Sequence, residues 1–227
     1  MIRLHITAEG QTEQAFVRTV LEPHLANFNV FVDARCVLTS KDKRPVKEYR
    51  GGLLSYEKAK KDIQTWLKED DHAECRFTTM FDLYALPDDF PDYATSQQEA
   101  DKYKRVEVLE LAMKQDINDP RLIPYIQLHE FEALILADPQ QLDWEYLDHD
   151  GPIDKLKNMV ADKNPELIND GPTTAPSKRI IAEIQEYSKV MAGVVVAAKI
   201  GIPTLRQKCR HFNDWLTSLE NLAGGHS

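Results

Sequence analysis

Two short acidic stretches carry the residues most able to do chemistry. AEGQTE (8–13) places Glu9 directly after six residues of β-like alternation and Glu13 four residues later, where a helical pattern starts. Glu13 alone is ordinary helix chemistry, since acids are favoured in a first turn and Thr12 can cap free N–H groups. Glu9 has no such explanation. A carboxylate at the carboxyl end of a strand sits on the edge where open α/β sheets bind ligands. The second stretch, FTTMFDLY (77–84), carries Asp82 at its end much as the first carries Glu9. Taken alone, Asp82 suits the turn into Leu86-Pro87-Asp88-Asp89. In a parallel sheet, however, both carboxyl ends lie on one edge, so Glu9, Glu13 and Asp82 converge if the first and third strands are neighbours. The Glu9 and Asp82 carboxylates are then expected within about 8 Å, and three carboxylates suffice to hold a divalent cation through oxygen.

HEFEA (129–133) adds His129, Glu130 and Glu132 at the same expected edge. Glu130 is the further metal candidate; Glu130 and Glu132 point to different helix faces, so at most one aims at a shared site. Cations are expected from the 39–50 loop (Lys41, Lys43, Arg44, Lys47, Arg50) and from Lys178, Arg179, Lys199, Arg206, Lys208 and Arg210. Lys178 and Arg179 open a helix after a proline-rich loop, where an anion is favoured. Phosphodiester chemistry needs positive charge beyond a metal, so Lys178 or Lys199 is expected to fold back to the acids. HExxH, Walker A, GxGxxG and GxSxG patterns are all absent, which argues against zinc-protease, P-loop, dinucleotide and α/β-hydrolase chemistry.

The elements that must position these groups follow from periodicity. IRLHITA (2–8) alternates strictly, with Ile2, Leu4 and Ile6 on one face. Val17, Leu21, Leu25 and Phe28 recur at helical spacing with Pro23 on the solvated side. NVFVDARCVL (29–38) and CRFTTMFDLY (75–84) are strands, RLIPYIQL (121–128) a fourth weakened by Pro124, and helices are expected around Tyr56–Trp66, Val106–Met113 and in HEFEALILADP (129–139). This order implies a mostly parallel four-stranded sheet flanked by helices, over residues 1–138. Residues 139–227 read as a helical extension packed on that domain, ending in a helix striped by Leu205, Cys209, Phe212, Leu216 and Leu219; VVVAAKI (194–200) is assigned to helix.

The 227-residue chain carries a formal charge of −9, which argues against loose nucleic-acid binding by excess basic surface but not against a metal-offset site. Its three cysteines lie far apart with no CxxC, as reduced thiols in a cytoplasmic protein. Glu9 interrupts any signal-peptide layout, and no apolar run reaches the ~18 residues of a bilayer span, so no membrane is expected.

Strand–EGxTE–helix followed by a strand ending in an acid resembles a Toprim domain, the metal-binding fold of topoisomerases, primases and nucleases of the overcoming-lysogenisation-defect class. AEGQTE, FDLYALPDDFP, YIQLHEFEALILADP, APSKRI and IGIPTLRQKCRHFNDWL together resemble an uncharacterised bacterial Toprim-like family often encoded beside ATPases in defence-type neighbourhoods. The resemblance implies a nuclease using Mg²⁺ or Mn²⁺ on DNA or RNA, with Glu9 in acid–base or metal chemistry and Glu13 on the metal. It also implies an anti-phage role, a partner ATPase and room for homo-oligomerisation. The family's acidic DxD pair falls on Asp82 and Tyr84, so the second acid is missing unless Asp88, Asp89, Glu130 or Glu132 replaces it. That departure supports two alternatives: a non-catalytic subunit of an ATPase complex, or a site for a small nucleotide.

Overall fold

The computed structural model describes residues 1–37, 53–168, 171 and 173–224. The basic residues expected in the 39–50 loop lie outside the described residues.

Strand β1 (Ile2–Ala8) leads into helix α1, which runs on through Gln11–Phe16, a π turn at Val17–Leu21 and Glu22–Ala26. Pro23 cannot donate a backbone hydrogen bond, and the widened turn before it lets the helix continue. Phe28, expected on the buried stripe, falls beyond the helix end; it is 38% exposed and rests against His24, with ring centroids 5.3 Å apart. Then come β2 (Val30–Cys36), α2 (Tyr56–Glu69), β3 (Cys75–Asp82) and α3 (Lys102–Ile117). The expected fourth strand is split at Pro124 into β4 (Leu122–Ile123) and β5 (Ile126–Gln127), both parallel to β3. Proline removes a ladder donor, and the chain steps between two short pairings around it.

The sheet runs β2-β1-β3-β4 with β5 also on β3, and every pairing is parallel. Strands β1 and β3 are therefore neighbours, Ala8 standing opposite Met80. Both faces are covered. Ile2, Leu4 and Ile6 share one face with Met80, α1 and the C-terminal helices. Phe77, Phe81 and Cys75 face α2 and α3 on the other, through Tyr56, Ala59, Ile63, Trp66, Val106, Leu109 and Met113.

HEFEALILADP forms only a short helix, α4 (Glu132–Ile135), because His129 takes a left-handed backbone (φ 62°) that interrupts any earlier start. Next are α5 (Asp150–Val160), α6 (Pro176–Glu183), a π turn (Lys189–Gly193) feeding α7 (Val194–Lys208), and α8 (Arg210–Glu220). Gly201 (φ 77°) breaks α7 just before Pro203, a conformation that L side chains rarely adopt. Among the described residues the segment Lys189–Lys208 meets the length and mean composition of a membrane span, although lysines and an arginine interrupt its apolar run. The Gly201 break interrupts it, and Val196, Ala197, Ile200 and Leu205 are buried in the core that β1 and α1 share. The stripe from Leu205 to Leu219 is wholly buried but spans two helices, because Cys209 is extended (φ −117°, ψ 94°). The fully buried Glu166 carboxylate caps the new helix, accepting the His211 and Phe212 amides at 3.0 Å each.

Candidate functional site

At the carboxyl edge of the sheet the Glu9 amide donates to the Met80 carbonyl at 3.0 Å, continuing the β1–β3 ladder by one residue. The Glu9 side chain turns back across that junction, and its Oε2 accepts the Asp82 amide at 2.8 Å. Glu13 Oε2 accepts the Gly10 amide at 3.0 Å, which ties the first turn of α1 to the strand end. The His129 turn is pinned to the same edge, since its carbonyl accepts the Tyr84 amide at 2.8 Å. From that turn Glu132 enters the cluster. All four carboxylate residues are buried, Glu9 at 7%, Glu13 and Asp82 at 3% and Glu132 at 1% exposure.

Among the described residues one cation stands among them. Lys189 Nζ lies 3.0 Å from Glu13 Oε1, 3.0 Å from Asp82 Oδ2 and 3.7 Å from Glu132 Oε2, with the Phe131 ring centroid at 5.7 Å. The lysine is delivered by the π turn before α7, whose start is fixed by the Ser188 hydroxyl accepting the Met191 amide. Gly193 allows this turn to approach closely, because a Cβ there would meet Tyr187 Oη at 3.2 Å and Phe131 Cε1 at 3.3 Å.

Among the described residues one ammonium faces four buried carboxylates, more negative charge than it offsets. Burial, then the charges of Asp82 and Glu13, push Glu9 well above the usual carboxylate range, against the opposing Asp82 amide. Burial raises Asp82 to about 7 even though Lys189 opposes it. Burial likewise raises Glu132 to about 8, with Lys189 again opposing and Glu130 and Asp82 adding to the rise. Burial disfavours the Lys189 charge, but Asp82, Glu132 and Glu13 outweigh it and hold the ammonium charged. Asp82 Oδ1 is buried with no hydrogen-bond partner among the described residues. The donor set is all oxygen, the kind that Mg²⁺, Mn²⁺ or Ca²⁺ prefers.

Glu9, Glu13 and Asp82 thus come together. Glu130 accepts the Ser177 amide at 2.6 Å through one oxygen at the start of α6 while its charge still acts on Asp82 and Glu132, and Glu132 lies beside the lysine. Lys178 is exposed, and Lys199 lies on the surface with its ammonium 3.9 Å from the Trp144 ring; among the described residues neither forms an ion pair with the four acids. Arg179 bonds the Thr174 carbonyl, while Arg206 bonds Asn213, Thr217 and Glu220. Asp89 caps α2 through the Tyr56 amide, and Tyr84 is 52% exposed. Lys189 was not among the sequence candidates. Its one signal is that it opens the apolar run KVMAGVVVAAKIGI, where a lysine is out of place on a buried face.

A different group lies at the opposite, amino-terminal edge. His5, Asp70 and Cys75 bring three potential ligand atoms within 4.8 Å of one another. Asp70 is already engaged by His5 Nε2 at 2.8 Å and Arg3 Nη2 at 2.9 Å. Against the effect of burial, the Cys75 thiol, His5 and Arg3 hold it down at about 2.

The class defined by fold and site is a parallel α/β domain with a carboxylate cluster at the carboxyl edge of its sheet. Residues 8–220 match the family described as "Domain of unknown function (DUF4276)", and the chain belongs to that family. No curated protein matches it in sequence. Among solved structures it is similar to the C-terminal region of the Burkholderia pseudomallei OLD protein, at 17% identity and a TM-score of 0.43 over 97% of this chain and 99% of that one.

Proposed function

We propose that this chain is a divalent-metal-dependent nuclease that hydrolyses phosphodiester bonds in DNA or RNA, with Mg²⁺ or Mn²⁺ as its cofactor. The observation that carries this reading is the buried Glu9–Glu13–Asp82 cluster with Lys189 against it. Glu9, Glu13 and Asp82 would hold the ion, and the unpartnered Asp82 Oδ1 is the oxygen most in need of one. A divalent cation supplies such a reaction with a water of lowered pKa and with stabilisation of the leaving oxygen. Lys189, rather than Lys178 or Lys199, offsets the charge that develops on the phosphate. Glu9, which burial and the charges of Asp82 and Glu13 push well above the usual carboxylate range, is also the candidate acid–base group. Glu130 positions the start of α6, and Glu132 orients the lysine. The sequence resemblance to Toprim-like proteins supports a partner ATPase and an anti-phage role.

The test is cleavage of single- and double-stranded DNA and RNA with Mg²⁺ or Mn²⁺. Activity that depends on metal and is lost in Glu9→Gln and Lys189→Ala is the expected result. The second reading, a non-catalytic subunit of an ATPase complex, rests on exposed Tyr84 standing two residues after Asp82, where a second acid would be needed. Absence of cleavage with and without the ATPase, despite intact Mn²⁺ binding, would decide for it.

A further inference from the structure

We infer that Lys189 takes the place of a second divalent cation, so that each chain binds one such ion and supplies the other positive centre itself. This rests on the metal-dependent reading above. Asp82 divides the cluster in two. Its Oδ2 faces Lys189 Nζ at 3.0 Å, whereas its Oδ1 is buried with no hydrogen-bond partner among the described residues.

On the Oδ2 side the ammonium also meets Glu13 at 3.0 Å and Glu132 at 3.7 Å. Three carboxylates around one point are what a hydrated divalent ion would use, and the ammonium fills that point. Two-ion phosphodiester sites hold their ions about 3.5–4 Å apart. A further divalent ion on the lysine side would have to take the point that Nζ already fills between Glu13, Asp82 and Glu132. On the Oδ1 side, Glu9 is fixed by the Asp82 amide at 2.8 Å and Glu13 by the Gly10 amide at 3.0 Å. Both Glu13 oxygens are then engaged, by Gly10 and by Lys189, and the oxygens left for a single ion are Glu9 Oε1 and Asp82 Oδ1.

Two features keep the lysine at its post. The π turn that carries it is held by Ser188 and by the close packing of Gly193 on Phe131 and Tyr187. The side chain is only 31% exposed, and its ammonium stands among the acids. The sequence agrees, since Tyr84 removes the acid that a second ion would call for, and Glu132, from another element, meets the lysine instead.

Counting Mn²⁺ ions bound to the full chain without substrate, by calorimetry and by electron paramagnetic resonance, tests this. The wild-type chain is expected to bind one ion and Lys189→Arg one. Lys189→Gln and Lys189→Met are expected to bind two, with a larger Mn²⁺-dependent rise in Tm than wild type. Two ions in the wild-type chain overturn the inference and leave the metal-dependent reading standing. One ion in folded Lys189→Gln and Lys189→Met also overturns it. No Mn²⁺ on the wild-type chain removes both. Should the neutral variants fail to fold, the wild-type and Lys189→Arg counts still decide, because two ions in either contradict the assignment.

Discussion

The Asp82 amide donates to Glu9 Oε2 at 2.8 Å, so the ends of β1 and β3 are joined through a buried carboxylate rather than through the strand ladder alone. The same burial makes ionisation of the neighbouring Asp82 carboxyl unfavourable, and its pKa lies at about 7 against an ordinary 3.8. A raised carboxyl pKa means that the folded chain binds the extra proton between those values, so this group's contribution to stability falls as pH rises from about 4 to about 7. Asp82→Asn is therefore expected to be as stable as wild type or more so at pH 8, by on the order of 1 kcal/mol, with no advantage near pH 4. Urea unfolding at both pH values checks this. A large loss of stability at pH 8 would make Asp82 a structural residue.

Asp70, at the other edge of the sheet, carries the opposite sign. Its pKa of about 2 lies below the ordinary 3.8, so its contribution is present above the unfolded value and lost as pH falls through about 2. With its side chain 13% exposed and one partner, Arg3, half in solvent, Asp70→Asn is expected to cost about 1 kcal/mol at pH 7. The cost should be largely lost at pH 2 and vanish below it. An equal loss at both pH values would mean that packing, not charge, is what Asn disturbs.

Much of this site was legible because strand ends in a parallel sheet are directional. Glu9 and Asp82 close apolar strands without a core role of their own, and strand adjacency then brought them together. The sheet's split at Pro124 was also legible as a weakness, though not as two strands. What sequence periodicity could not show was set by single backbone angles and by long-range packing. The left-handed turn at His129 precedes Glu132, the acid that lies beside Lys189. Lys189 arrives on a π turn that no hydrophobic period encodes, and the continuous stripe through Cys209 concealed a helix break capped by the distant Glu166.

That break yields a direct test. Glu166 is fully buried and satisfies two α8 amides and the Tyr103 hydroxyl, the last at 3.0 Å. Removing the acceptor strands those donors in the interior, so Glu166→Ala is expected to cost about 3 kcal/mol or more, and Glu166→Gln distinctly less because one oxygen remains. Denaturant unfolding of the pair measures it. Equal costs for Ala and Gln would show that charge, not helix capping, is what matters there.

The Gly193–Tyr187 contact links stability to the position of Lys189. A Cβ at 193 would lie 3.2 Å from Tyr187 Oη and 3.3 Å from Phe131 Cε1, so Gly193→Ala must displace the π turn or the two rings. The expected cost is about 1–2 kcal/mol, typical of overpacking, together with weaker Mn²⁺ binding as Lys189 shifts against the acids. Tyr187 Oη is itself buried with no hydrogen-bond partner among the described residues. Tyr187→Phe is then expected to be neutral or slightly stabilising, because it removes an unsatisfied hydroxyl. In the double variant that hydroxyl no longer opposes the new methyl, so part of the Gly193→Ala loss should return, leaving only the Phe131 contact to relax. A double-mutant cycle on unfolding free energy, with a coupling of about 0.5 kcal/mol or more, is the expected outcome. Strict additivity would show that the methyl is accommodated against Phe131 alone, and that Tyr187 has no part in placing the lysine.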